Sequence, residues 1–100
     1  MDRATIVGYL LSPSHPDGCV KARFFARFGF RNADWEILAE ALRLIGAANP
    51  VVGILESPWG VRYTVDGLLR CPDGRSPHVR TVWIVEHRTS RPRLVTAHPR

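Results

Sequence analysis

V-R-Y-T-V-D-G-L-L-R-C-P-D-G-R-S-P-H-V-R-T-V-W-I-V-E, residues 61 to 86, decides the fold. Its first part alternates: Val61, Tyr63 and Val65 fall to one side, Arg62, Thr64 and Asp66 to the other, the period of a half-buried strand. C-P-D-G-R then places Pro72 and Gly74 at the second and fourth positions of a type I turn. From His78 the chain resumes with strand-forming residues through Val79, Thr81, Val82, Trp83, Ile84 and Val85. Strands joined this closely pair antiparallel, because a parallel pair needs a crossover of about a dozen residues or more. Working outward, V-V-G-I-L-E-S precedes the pair across the turn S-P-W-G, and R-L-V-T-A-H follows it. The reading is four strands, at about 51–57, 61–70, 78–86 and 93–98, in an antiparallel meander.

Upstream of Asn49-Pro50 the periodicity is helical. A helix is expected over about 19–28, with Phe24, Phe25 and Phe28 in one stripe and Gly29 just past its end. A second is expected over about 33–46. Asn32 is its natural N-cap, Asp34 and Glu36 sit where the dipole favours them, and Trp35, Leu38, Leu42 and Ile45 form the buried stripe. Gly46 is expected to close it, and Pro50 to prevent resumption. The chain therefore reads as one α+β domain over residues 1–100, with two N-terminal helices packed on one face of a four-stranded antiparallel β-meander.

The open face of that sheet depends on register. With Val82, Ile84, Val95 and Ala97 turned inward, the outer face would carry Arg62, Thr64, Thr81, Trp83, Thr96 and His98. A slip of one residue in any strand would invert its assignment.

The chain has 100 residues, 45% hydrophobic and 23% charged, with a net charge of +5. That suits a soluble domain with one modest core and an anionic partner. No apolar run approaches the ~20 residues of a membrane span. Gly8 interrupts Ile6–Leu11 and no signal peptide is read there, so a cytoplasmic location, or delivery as part of something larger, is expected. The two cysteines, Cys19 and Cys71, form no CxxC and have no histidine pair at ligand spacing. Free thiols are expected, and neither a metal site nor a cofactor.

Lys21 is the one lysine among the 14 Lys and Arg residues. It stands in the first turn of the first helix, where a cation opposes the macrodipole. Helical side chains lean toward the N-terminus, so Lys21 can reach back to the loop holding His15. An anion bound at that helix start would meet an imidazole, an ammonium and free backbone amides together. A phosphodiester fits such a site. Cleavage of RNA by its own 2′-hydroxyl needs a base, an acid and cations on the phosphate, and no metal. The plainer reading is that Lys21 snorkels to solvent from the apolar stripe and His15 is a loop residue.

Four phrases taken together carry a resemblance: Y-L-L-S-P-S-H-P-D-G-C-V-K-A-R-F-F from Tyr9, W-E-I-L-A-E-A-L from Trp35, Y-T-V-D-G-L-L-R-C-P-D-G-R-S-P-H-V-R-T-V-W-I-V from Tyr63, and P-R-L-V-T-A-H-P from Pro92. They resemble a family of small bacterial domains of unknown function, found alone and near the C-termini of toxin-like proteins. The layout is in turn similar to the barnase–EndoU–colicin–RelE toxin ribonucleases, which place helices before a four-stranded antiparallel sheet. By position, the resemblance implies His15, Lys21, Arg80, Thr81 and Thr96 as the catalytic set. Where this chain has His98 the family pattern has Tyr. Arg62, Arg75, Trp83 and His98 are the expected substrate contacts, Trp83 by stacking a base.

The leading expectation is thus a metal-independent ribonuclease toxin of a bacterial toxin–antitoxin or polymorphic toxin system. His15 would be its acid or base, Lys21 and Arg80 would bind the phosphate, and Thr81 and Thr96 would orient it. Its partners would be RNA and an acidic antitoxin or immunity protein. The alternative is a non-catalytic basic module for RNA or an acidic partner. Pairing of the third or fourth strand edge to edge in a homodimer stays open.

Overall fold

The computed structural model describes residues 2–88 and 91–100. Helical elements come first and a four-stranded antiparallel sheet follows, in the spatial order β1-β2-β3-β4. The strands are β1 Val51–Ser57, β2 Gly60–Leu68, β3 His78–Glu86 and β4 Arg93–Pro99. The Cys71–Gly74 turn closes as its sequence predicts, the Gly74 N–H donating to the Cys71 carbonyl at 3.0 Å.

Three helical segments precede the sheet, one more than the sequence suggests. The first, α1, is Arg3–Thr5 continued by the π-helical turn Ile6–Leu10. The Asp2 side chain caps it by accepting from the Ala4 N–H, and Ile6 and Leu10 are fully buried. Gly8 does not stop it, because its apolar neighbours have a core to enter. The second, α2, is Cys19–Arg27. It ends with Gly29 at φ 96°, a left-handed conformation that glycine adopts without strain. The third, α3, is Trp35–Ala48, entered through a 3-10 turn at Asn32–Asp34. Asn32 thus lies inside that turn and does not cap α3. Nor does Gly46 end it: the helix runs on to Ala48, and Asn49 Nδ2 donates back to the Ile45 carbonyl.

Leu38, Ala41, Leu42 and Ile45 of α3 form the core with Ile6, Leu10, Phe25 and Phe30, against Val65, Val79, Trp83, Leu94 and Ala97 of the sheet. Burying each of the Val, Leu, Ile and Phe side chains among these stabilises by roughly 1.5–3 kcal/mol.

Register corrects the expected faces. Val65 pairs with Thr81 and Tyr63 with Trp83, and directly opposed residues share a face. Thr81 and Trp83 therefore point at the helices, with Val79. Val82 and Ile84 point outward with Arg62, Thr64 and Arg80, the reverse of the expected arrangement. In β4 a register shift at Val82/Trp83 leaves Thr81 opposite Ala97 and Trp83 opposite Leu94. Both Ala97 and Leu94 are buried, whereas Val95 is only half-buried.

Candidate functional site

Tyr9 is the side chain on which three of the sequence-predicted residues meet. The π-helical turn buries Ile6 and Leu10 and leaves Tyr9 half-buried beside β4. Its hydroxyl lies 3.1 Å from Thr96 Oγ1, across 87 residues of chain. His15 sets its ring edge-on to Tyr9, centroids 4.9 Å apart. Lys21 places its ammonium 5.2 Å from the Tyr9 ring centroid, a cation–π contact. His15, Lys21 and Thr96 are thus gathered around one phenol.

The loop between α1 and α2 is built to hold this arrangement. His15 Nδ1 accepts from the backbone N–H groups of Asp17 and Gly18, both at 3.0 Å. The His15 carbonyl accepts from the Cys19 N–H. With Nδ1 accepting, the neutral ring carries its proton on Nε2, which makes His15 a donor. Lys21 Nζ donates to the Asp17 carbonyl at 3.4 Å. Gly18 lies so close to Tyr9 that a Cβ there would overlap the Tyr9 carbonyl oxygen. A side chain at position 18 would push the start of α2, and Lys21 with it, away from the phenol.

Arg80 and Thr81 are not brought to Tyr9. Arg80 faces outward and grips Asp66 through Nε and Nη2, at 2.9 and 3.0 Å. Arg100 reaches the same carboxylate at 2.7 Å. The Arg80 hydrogen bonds, with Arg100, hold the nearly buried Asp66 carboxyl below the usual carboxylate range. Thr81 is fully buried. Its hydroxyl donates to the Val65 carbonyl at 2.7 Å and accepts from Trp83 Nε1 at 2.8 Å, so both partners are internal.

The expected substrate contacts divide similarly. Trp83 is core, wedged against Gly46 of α3. Arg75 lies over the Phe28 ring at 4.2 Å, pairs with Asp73 and donates to the Arg27 carbonyl; it pins its turn to the end of α2. His98 stands opposite Arg80 on β4. Arg62 is exposed on the outer face. Tyr9 was not among the residues singled out by type and spacing, although it opens the first of the four phrases. Trp59, 75% exposed at the tip of the β1–β2 turn, was read only as a turn residue. Among the described residues no group of three or more His, Cys, Asp or Glu side chains could hold a metal ion, and no helix is long and apolar enough to cross a membrane.

The sequence matches, over residues 1–100, the family described as Domain of unknown function (DUF6883), and the chain belongs to that family. No curated protein matches it. Among solved structures it is similar to a chain of a contact-dependent growth inhibition toxin–immunity protein complex from Klebsiella pneumoniae 342. That likeness has a TM-score of 0.81 and covers 99% of this chain and 97% of the other at 16% identity. At this identity it is a likeness of fold.

Proposed function

We propose that this domain acts in a bacterial toxin system as a ribonuclease centred on Tyr9, His15, Lys21 and Thr96. What carries the reading is the convergence of a donor imidazole, an ammonium and two hydroxyls beside the start of α2. A phosphodiester asks for this set: a point charge with N–H and O–H donors around it. The likeness to a chain from a toxin–immunity protein complex agrees with a toxin-system role. A partner protein with an acidic surface would complement the +5 charge.

The chemistry would run as follows. The RNA 2′-oxygen bonds to phosphorus while its proton leaves to water. The P–O5′ bond breaks, and the departing oxygen takes a proton from the Lys21 ammonium, which regains one from solvent. The products are a 2′,3′-cyclic phosphate and a 5′-hydroxyl. His15 Nε2–H and the Tyr9–Thr96 hydroxyl pair donate to the phosphoryl oxygens as charge builds on them. For His15 to carry a proton as acid or base, the Asp17 and Gly18 N–H groups would first have to release Nδ1.

The second reading, a non-catalytic basic module for RNA or an acidic partner, is favoured by that same tie: a histidine accepting two backbone N–H bonds is held as a structural residue would be. The test is cleavage of RNA by the purified protein, with and without excess EDTA, beside Tyr9→Phe, Lys21→Ala and His15→Gln. Cleavage that survives EDTA and falls at least tenfold in each folded variant supports the nuclease. Absence of cleavage leaves the binding module standing, whereas cleavage undiminished in the variants overturns the assignment of the site to Tyr9, His15 and Lys21.

A further inference from the structure

The outer face of the sheet carries a second feature, away from Tyr9. Leu55, Trp59, Arg62, Ile84, His87 and Arg93 line a groove of about 740 Å3 at the β1–β2 end of the sheet. Its apolar floor includes Ile84, which is buried although it points away from the described helices. Arg62 and Arg93 flank Ile84 on the neighbouring strands, opposite it in register. Arg93 pairs with Glu86 at 2.6 Å. Arg62 has no carboxylate partner among the described residues.

Trp59 forms the lip, and its turn is tied down. Ser57 Oγ donates to the Gly60 carbonyl at 2.9 Å, the His87 N–H donates to the Trp59 carbonyl at 3.3 Å, and His87 Nε2 lies 3.3 Å from the Ser57 carbonyl. The chain therefore displays a large aromatic ring in water on a fixed support.

We infer that this groove binds single-stranded RNA, with Trp59 stacking on a base and Arg62 contacting the backbone. The inference rests on the ribonuclease reading for its choice of polyanion. An open aromatic face beside arginines is the chemistry that holds a strand without reading its sequence. It also moves the stacking role from the buried Trp83 to the exposed Trp59. A protein partner would need a carboxylate aimed at Arg62 and an apolar knob against Trp59; RNA supplies both charge and π-face in every nucleotide.

A 2′-O-methyl hexauridylate is the probe, since without a 2′-hydroxyl it cannot be cut. Its binding is followed by tryptophan fluorescence and by Kd at several salt concentrations. The expected result is quenching on binding, a Kd weakened about ten- to a hundredfold in Trp59→Ala and largely restored in Trp59→Phe. Arg62→Gln should lower the salt slope by about one. Trp59 is exposed, so its variants should melt with wild type. Unchanged affinity in Trp59→Ala, or no binding at low salt, overturns the inference. Poly-L-glutamate binding in place of the oligonucleotide, lost in Trp59→Ala, overturns it in favour of an acidic protein. Because the probe is inert to cleavage, the two readings fail separately. RNA cut by a protein whose Trp59→Ala variant binds normally leaves the nuclease standing alone. Binding without cleavage leaves the groove standing alone.

Discussion

Single residues separate what holds this fold from what could act on a substrate. Thr81 belongs to the first group. Its buried hydroxyl accepts the hydrogen bond of Trp83 Nε1. Thr81→Val keeps the shape and orphans that N–H, an expected loss of about 1–3 kcal/mol, measured by urea unfolding. If RNA cleavage is found, the variant should retain it at temperatures where it is folded; loss of cleavage there would return Thr81 to the site. Cys71 is a second residue-scale case. Burial, with Asp73 nearby, pushes its thiol up to about 11, and its Sγ meets the Leu69 carbonyl at 3.3 Å. At pH 8 about one thiol in a thousand would be ionised, against roughly a quarter for an ordinary cysteine. Iodoacetamide should therefore label Cys71 on the order of a hundredfold more slowly than free cysteine, with the rate rising toward pH 11. Mass spectrometry after timed quenching reads this directly, and fast labelling at pH 8 would refute it.

At the scale of elements, the sheet was legible and its faces were not. Alternation places Val61, Tyr63 and Val65 together within β2, and short turns force antiparallel pairing. Both follow from local chemistry. The facing of β3 does not: Val79-Arg80-Thr81-Val82-Trp83-Ile84 offers apolar residues on both sides. The choice falls to a long-range pairing, Val65 with Thr81, and to a threonine whose polarity is satisfied internally. The Tyr9 cluster was half-legible for a similar reason. His15 and Lys21 are six residues apart, within reach of a loop and a helical turn, whereas the Tyr9–Thr96 bond joins the two ends of the chain. The α3–β3 contact yields a further prediction. Gly46 lies mid-helix, where alanine would ordinarily gain about 1 kcal/mol. A Cβ there would sit 3.0–3.1 Å from the Trp83 ring. That ring is hydrogen-bonded at Nε1 to Thr81, and giving way by the few tenths of an ångström the Cβ needs would strain that bond. Gly46→Ala should therefore lower the melting temperature against its propensity gain, and a rise would mean that the ring yields.

Across the whole molecule, Asp66 closes one end of the sheet. It lies on β2, its first partner Arg80 on β3, and its second, Arg100, just beyond β4. The Arg100 N–H also donates to the His78 carbonyl, so the clasp ties the chain's last residue to the sheet. Its pH dependence follows from the lowered carboxyl. A depressed carboxylate favours the folded state at every pH above its unfolded value of ~3.9. That contribution is lost as pH falls through the lower folded value, because protonation then breaks the clasp. Asp66→Asn should be less stable than wild type at pH 6. The gap should narrow steadily from about pH 4 downward, as wild type loses the charge that the variant never had. Urea midpoints of both proteins between pH 6 and pH 2 measure it. A gap that stays constant to pH 2 would mean that Asp66 contributes by hydrogen-bonding shape alone. A gap that closes ties the stability of the strand ends to one ion cluster, on the same outer face as the Trp59 groove.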